Sequence, residues 1–305
     1  MPHDHHHHDH AHAPAGFGRA FAIGIALNLA YVAAEVGYGI AAHSLALLAD
    51  AGHNAGDVLA LLAAWLAAAL ARRAPSRRFT YGLRASSILA ALGNAVVLLL
   101  ITGGIAWEAI RRLLAPEPVA GVTVMVVAAA GILVNALTAW LFVSGRKEDL
   151  NIRAAFLHMA GDALVAFGTV VAGALIWWTG SLWIDPAVSL LVAAAIVVGT
   201  WGVLGDSLRL ALDGVPPGID REAVAAYLGA LPGVRSVHDL HIWGMSTTET
   251  ALTAHLVRGD GQLDDALLHE AADGLRHRFH IAHATLQVET GNPAFPCRLA
   301  ADEVV

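Results

Sequence analysis

The sequence predicts a membrane protein in which an all-α bundle of six transmembrane helices precedes a small α+β domain. Of its 305 residues, 57% are hydrophobic and 14% are charged, a balance that is too apolar for an ordinary soluble domain. Six apolar segments are each long enough for the roughly 20 residues that a helix needs to cross a bilayer. Beyond residue 213 the pattern changes to short alternating and amphipathic stretches, which predicts a separate folded domain.

The N-terminal segment 1–15 cannot bury a core and is predicted to be a disordered tail. Its histidines are His3, His5, His6, His7, His8, His10 and His12. Neutral imidazoles are common zinc ligands, so one interpretation is a cytosolic tail that captures metal, and the other is an expression tag. Interleaved aspartates and the lack of six consecutive histidines favour a native tail.

The transmembrane domain is assigned to residues 16–212. Its spans are expected at roughly 17–40, 45–71, 85–110, 119–143, 153–178 and 184–205. Unbroken apolar runs of this length are typical of helices and not of barrel strands, in which lipid-facing residues alternate with others. The chain starts without the basic region of a secretory signal peptide, so the first apolar segment is expected to remain as a span.

Positive charge in the short loops predicts the orientation, because such loops favour the cytoplasmic side. The loop after span two carries Arg72, Arg73, Arg77, Arg78 and Arg84, and the loop after span four carries Arg146, Lys147 and Arg153. The loops after spans one and five contain no lysine or arginine. Both termini are therefore expected in the cytoplasm, although Arg111 and Arg112 fall on the outer side.

The C-terminal domain is assigned to residues 213–290 and is followed by an irregular tail, 291–305. Helical spacing, with Asp220 as the cap, and strand alternation give the order αββαβ, which suggests a two-layer domain. The expected elements are a helix at 219–231, strands at 234–243 and 250–257, a helix at 264–279 and a strand at 284–288.

The pattern His-x-Ala-Gly-Asp occurs twice, with His53 and Asp57 in span two and His158 and Asp162 in span five. Residues at i and i+4 share one face of a helix. Three spans in each half make the second half enter the membrane from the opposite side, so the two copies form an inverted repeat. At about 1.5 Å per residue, each motif lies roughly 8–18 Å inside its helix and can meet the other near the midplane.

Together the two motifs offer the nitrogen and oxygen ligands of a tetrahedral zinc site. An ionised aspartate at the bilayer centre costs at least about 2.5–3.5 kcal/mol and needs a partner, which a divalent cation supplies. Hydrogen bonds between histidine and aspartate that only tie helices together are the alternative. Metal and protons compete for the same imidazole nitrogens, so alternating access between the halves would exchange metal for protons.

Two further groups carry expectations of their own. Asp50 lies seven residues before Asp57 on nearly the same face, and we interpret it as an outer relay or an entry ligand. A structural cap for the turn after Ser44 is the alternative, which is disfavoured because Asp50 already lies inside the span. Glu35 is interpreted as an interhelical hydrogen-bonding group.

Histidines recur in the C-terminal domain, where single ones usually belong to the surface. His238 and His255 on neighbouring strands, His269 on the facing helix and Glu289 after the last strand could nevertheless converge and sense cytosolic metal.

These patterns together resemble the cation diffusion facilitator family, most closely its zinc-exporting bacterial branch. The resemblance rests on HxxxD in spans two and five, on Phe-Thr-Tyr-Gly-Leu-Arg at 79–84 and on Val-His-Asp-Leu-His-Ile-Trp at 237–243. It covers nearly the whole chain. It implies a homodimer in the bacterial inner membrane, with metallochaperone-like domains that meet in the cytoplasm.

The resemblance also implies roles for particular residues. The transport ligands match His53, Asp57, His158 and Asp162, and a histidine at the first of these positions is typical of zinc and cadmium exporters. The cytoplasmic binuclear site matches His238, His255 and His269, but Gln287 and Glu289 stand where relatives have histidine and aspartate. Arg84 and Asp213 match a charge interlock that some members form.

The sequence therefore predicts a secondary transporter that exports Zn²⁺, or Cd²⁺ or Co²⁺, from the cytoplasm against protons. A metal-binding membrane sensor without transport is one alternative, and an intramembrane zinc enzyme is another. The enzyme is disfavoured because the signature HExxH is absent and no serine or cysteine nucleophile accompanies the motifs. The net charge of −7 gives no basic field for binding nucleic acid.

Overall fold

The computed structural model describes residues 17–71, 73–142, 150–259 and 265–300. The histidine-rich segment 1–15 lies outside the described residues, as do residues 301–305 of the expected C-terminal tail. Six long helices come first: α1 (Phe17–Ala41), α2 (Leu45–Ala71), α3 (Ser86–Leu114), α4 (Gly121–Phe142), α5 (Leu150–Thr179) and α6 (Ile184–Ala211). Each corresponds to one of the expected spans.

Four stretches within the described residues are long and apolar enough to cross a membrane: Ser86–Leu114, Gly121–Trp140, Gly161–Thr179 and Ile184–Ala211. The described part of α1 adds a shorter apolar stretch, Ile25–Ala41. The predicted class, a helical membrane region followed by a small α+β domain, is confirmed.

The chain divides into two compact units, which do not coincide with a simple cut in the sequence. One unit contains Met1–Leu59 and Leu98–Val198, and the other contains Ala60–Val97 and Gly199–Val305. Helices α2, α3 and α6 contribute residues to both.

In the first unit, α4 and α5 approach closely because glycines face each other. A Cβ atom added to Gly173 would lie 2.7 Å from the backbone nitrogen of Met125, and one added to Gly121 would lie 2.8 Å from the carbonyl oxygen of Gly173. Small residues allow helix backbones to come this close in a membrane, where van der Waals packing drives association. This contact fixes α5, which carries the second metal motif, against α4.

The N-terminus of α2 is held by a carboxylate from the start of α6. Asp185, which is fully buried, accepts hydrogen bonds from the Ser44 hydroxyl and from the backbone nitrogens of Leu45 (2.7 Å) and Ala46 (3.4 Å). The first backbone N–H groups of a helix have no partner within the helix, and a carboxylate there also interacts favourably with the helix dipole. The contact anchors the helix that carries the first metal motif.

In the second unit the C-terminal domain has the predicted order αββαβ. Its elements are α7 (Arg221–Gly229), β1 (Val234–Gly244), β2 (Thr250–Arg258), α8 (Asp265–Phe279) and β3 (Ile281–Glu289). Asp220 caps α7 as expected, because its side chain accepts from the backbone nitrogens of Glu222 and Ala223.

The sheet has the order β1-β2-β3, with β1 antiparallel and β3 parallel to β2. The parallel pair follows from the crossover through α8, since parallel neighbours cannot be joined by a tight turn. The core of the domain is built from fully buried side chains of both helices and all three strands. They include Val224, Leu228, Leu252, Leu256, Leu275 and Ile281. This core holds the ends of β1, β2 and β3 in fixed register.

We expect Gly173→Ala to destabilise the protein by about 1–3 kcal/mol, because the new methyl group would push α5 away from the backbone of α4. The midpoint of thermal unfolding in detergent should fall. Gly168→Ala in the same helix is the matched control, since a Cβ there meets nothing within 4 Å. Equal midpoints for the two variants would contradict the close packing described here.

Candidate metal sites in the membrane and C-terminal domains

Three of the four predicted membrane ligands lie together in the first unit. The Nε2 atom of His53 is 3.3 Å from Oδ1 of Asp162 and 3.7 Å from Oδ2 of Asp57. One ligand atom from each residue lies within 4.8 Å of the others. The structure thus joins the motif of α2 to an aspartate of α5, as the inverted repeat predicts.

The surroundings of this cluster suit a cation that must enter and leave. Asp162 is buried, whereas the side chains of His53 and Asp57 are 23% and 28% exposed. Two carboxylates would balance the charge of a divalent ion, which lowers the free energy needed to hold it in an apolar region. The same imidazole can take a proton between the two carboxylates, so the site has two alternative occupants.

The glycines of the two motifs have different packing environments. A Cβ on Gly56 would lie 3.0 Å from the side chain of Leu98 on α3, so this glycine lets α2 approach α3 closely. A Cβ on Gly161 would meet nothing within 4 Å. The fourth predicted ligand, His158, belongs to α5, but its side chain lies outside what the structure describes.

Asp50 is fully buried one turn before His53 but is not part of the three-residue cluster. Its neighbour is Glu35 of α1, which is also fully buried. Glu35 accepts a hydrogen bond from Asn54 of α2, as interhelical hydrogen bonding predicts, at 3.3 Å. The proximity of its carboxyl to Asp50 was not foreseen.

A second cluster lies on β1, β2 and β3 and on the segment that follows β3 in the C-terminal domain. Ligand atoms of His238, His255, Glu289 and Cys297 all lie within 4.8 Å of one another. Nδ1 of His255 is 3.0 Å from Oε1 of Glu289 and 3.5 Å from the Cys297 sulfur. Nε2 of His238 is 3.5 Å from Oε2 of Glu289. Two nitrogens, one oxygen and one sulfur give the four donors that zinc takes in tetrahedral sites.

A bulge in β1 adds a supporting carboxylate to this cluster. His238 pairs with His255 and His241 with Thr253, so β1 has one residue more than β2 between the two pairs. Asp239 within the bulge has a φ of 50°, which is uncommon for a residue with a side chain. Its Oδ2 lies 3.3 Å from Nε2 of His255. A carboxylate on the far ring nitrogen fixes the tautomer that leaves Nδ1 free to bind metal.

The ionisation of the cluster follows from its contacts. Burial acts to raise the pKa of the Glu289 carboxyl, but hydrogen bonds from Cys297 and Gln287 and the two nearby histidines together hold it below its ordinary value. The backbone of Leu299 acts to lower the pKa of the Cys297 thiol, but desolvation and the Glu289 carboxylate outweigh this, and the pKa is raised. At neutral pH the thiol therefore keeps its proton and donates it to Glu289.

Only part of the predicted C-terminal ligand set comes together within the single chain. His269 is exposed on α8 and is not among the clustered ligands, because Leu267 and Ala271 use the opposite face of the helix to reach the core. Gln287 donates to Oε1 of Glu289 at 2.9 Å and so supports that ligand. Cys297 and Asp239 are not among the ligands that the sequence predicts. No spacing rule links Cys297 to His255, which is 42 residues away.

The predicted interlock residues lie in the second unit. Arg84 donates from Nη1 to Oε2 of Glu249 at 2.8 Å, a partner that the sequence did not suggest. The backbone nitrogen of Thr247 also donates to the Ser87 hydroxyl at 3.1 Å. Asp213 follows the end of α6 with a φ of 56°. An Arg84–Asp213 contact between copies of the chain stays a prediction.

Long apolar helices, with a histidine–carboxylate cluster inside them, define a class of protein: a membrane transporter of cations. Residues 21–210 match the cation efflux transmembrane domain and residues 216–291 match the cation efflux protein cytoplasmic domain. The chain belongs to the cation efflux family, whose relatives are named as transporters and not as enzymes.

Relatives match over most of their length. The zinc transporter ZitB of Escherichia coli strain K12 is 40% identical over 271 residues, which cover 88% of this chain and 86% of that one. The metal cation efflux system protein CzcD of Cupriavidus metallidurans is 35% identical over 283 residues, 92% of this chain and 88% of that one. A cadmium, cobalt and zinc/H⁺-K⁺ antiporter of Bacillus velezensis is 35% identical over 280 residues, 89% and 88% of the two chains.

Proposed function

We propose that this protein exports divalent metal cations, with Zn²⁺ as the main substrate and Cd²⁺ or Co²⁺ as alternatives, in exchange for protons. The observation that carries the proposal is the contact of His53 on α2 with Asp162 on α5, beside Asp57. His158 completes the site in this proposal, because it precedes Asp162 by four residues on the same helix face. The names of the Escherichia coli and Bacillus velezensis relatives support these substrates.

Proton exchange follows from the chemistry of the ligands. Histidine must lose its proton to bind metal, so a metal ion that arrives from the cytoplasm displaces protons and a proton from outside displaces the metal. Alternating access between two inverted halves would present the site to each side in turn. The arginine-rich loops support cytoplasmic termini in a bacterial inner membrane. We infer a homodimer, with the segment 1–15 as a tail that captures metal.

Asp57→Asn and Asp162→Asn should each reduce zinc-driven proton flux in proteoliposomes to less than about one tenth of the parent rate, because a neutral amide cannot balance the charge of the ion. Glu108→Gln is the control, since Glu108 pairs with Arg111 and Arg112 and not with the cluster. Full flux in either aspartate variant would refute the assignment. A parent that binds zinc without any flux would favour the membrane sensor instead.

We also propose that the C-terminal cluster binds cytosolic Zn²⁺ and couples its level to the dimer. The observation that favours this second role is the convergence of His238, His255, Glu289 and Cys297, supported by Asp239. Thiolate and imidazole suit zinc and cadmium better than they suit hard cations such as magnesium. Because its ligands come from three strands and from the segment that follows them, metal binding would rigidify this part of the domain.

Zinc should protect Cys297 from alkylation in the full-length protein, and removal of zinc with a chelator should restore the reaction. Because Cys297 is the single cysteine, the measured thiol signal is unambiguous. Asp239→Asn should weaken protection about 10–100-fold in zinc concentration, as for other carboxylates that orient a ligating histidine. His277→Ala serves as control, since this residue is exposed on α8 beside Asp273. Unprotected thiol at saturating zinc would show that Cys297 is no ligand.

A further inference from the structure

Two buried carboxyl groups, Glu35 on α1 and Asp50 on α2, form a pair that the metal cluster does not include. The two residues are 0% and 1% exposed, and their carboxyl groups are within hydrogen-bonding reach of each other. Neither is among the ligand atoms gathered around His53. We call Glu35 and Asp50 the carboxyl pair.

The hydrogen bonds around the carboxyl pair leave Asp50 without a donor. Glu35 accepts from the Tyr31 hydroxyl at 2.9 Å and from Nδ2 of Asn54 at 3.3 Å, one bond to each oxygen. Among the described residues, none offers a donor to either oxygen of Asp50. A buried acceptor without a donor costs about 1–3 kcal/mol, and more when it is charged. A proton held between the two carboxyl groups would supply the missing donor.

Electrostatic repulsion also indicates that the carboxyl pair carries a proton. In the absence of a nearby cation, two carboxylates in contact inside an apolar region are not both ionised, because each raises the free energy of the other's charge. Such a pair carries one proton that belongs to both groups together and not to either one. We propose that the carboxyl pair is a proton-binding site that works beside the metal site in the exchange described above, so this inference rests on the proposed function.

The surrounding residues hold Tyr31 in position to donate a hydrogen bond to the carboxyl pair. The Tyr31 hydroxyl lies between Glu35 and the carbonyl oxygen of Val127 on α4, which is 3.4 Å away. A Cβ atom on Gly131 of α4 would collide with that hydroxyl, so only glycine leaves room for it. Tyr31 is thereby fixed as a donor to Glu35, and α4 contributes no charged group to these contacts.

The metal cluster is close enough to control the proton. Asp50 precedes His53 by three residues, about 4.5 Å along the helix axis. Among the described residues, the ionisable groups that face Asp50 are Tyr31 and Glu35 of α1 and, in the metal cluster, His53 and Asp57 of α2 and Asp162 of α5. A divalent cation bound in the metal cluster disfavours the proton on the carboxyl pair, because like charges repel strongly at low dielectric constant. One proton therefore leaves the carboxyl pair when metal binds and returns when metal leaves.

The proton count tests this directly. Zinc is added to the full-length protein in weakly buffered detergent solution, and released protons and bound zinc are measured together. Glu35→Gln and Asp50→Asn should each release about one proton fewer per zinc ion than the parent does. Protons from the C-terminal cluster and the histidine-rich tail cancel in this comparison. Glu108→Gln should release as many protons as the parent, and an unchanged count in both pair variants would overturn the proposal.

Infrared spectroscopy of the zinc-free protein detects a protonated carboxyl directly, so it tests the proposal even if a variant binds zinc poorly. The zinc-free parent at neutral pH should show the C=O stretch of a protonated carboxyl. Either substitution should remove it, because the remaining carboxyl loses its charged neighbour and gains an amide donor. Persistence of the band in both variants would exclude the pair as its source.

The two proposals can fail separately. Loss of the band and of one proton in the pair variants, together with a parent that shows no zinc-driven flux, would retain the proton site and refute antiport. Normal zinc-driven flux in the parent, together with an unchanged proton count in the pair variants, would retain antiport and refute the proton site.

Discussion

The structure depends on one constraint, which is the free energy of a charged group in an apolar interior. A carboxylate buried there needs hydrogen-bond donors, a cation or a proton. Asp185 meets this need with donors from the start of α2, so it is a fixed structural contact. Asp162 meets it with His53, whose charge is variable. Asp50 has no such donor among the described residues, and in our proposal a proton shared with Glu35 meets this need.

This difference separates structural from functional carboxylates in the first unit. The backbone N–H groups are fixed parts of α2, so the contact of Asp185 needs no exchangeable ion. In the proposed exchange, a metal ion and a proton on His53 would alternate between Asp57 and Asp162. Close packing of α4 on α5 through Gly121 and Gly173 gives the second motif a rigid support. Exchange of ions can then shift the balance between conformations without loosening the helices themselves.

The helices, strands and helix cap could be predicted because each depends on residues that are close together in the sequence. The six helices, the cap at Asp220 and the αββαβ order follow from apolar length, helical spacing and alternation, which the chain displays within each segment. The membrane cluster was predictable because its motif occurs twice. Glu249 as the partner of Arg84 and Cys297 as a neighbour of His255 depend on contacts between distant segments. The bulge that turns Asp239 toward His255 could not be predicted, because it does not change the hydrophobic pattern of the sequence.

The two candidate metal sites differ in ways that match different tasks. The membrane cluster offers imidazole and carboxylate but no sulfur, and two of its three described side chains are partly exposed. Protons compete well for such ligands, which favours release of the metal. The C-terminal cluster adds a thiol and a carboxylate that fixes His255. Thiolate ligands and a supported histidine favour retention of zinc over exchange. In the proposed functions the first site empties in every cycle and the second reports a steady metal level, and these two functions require different donors.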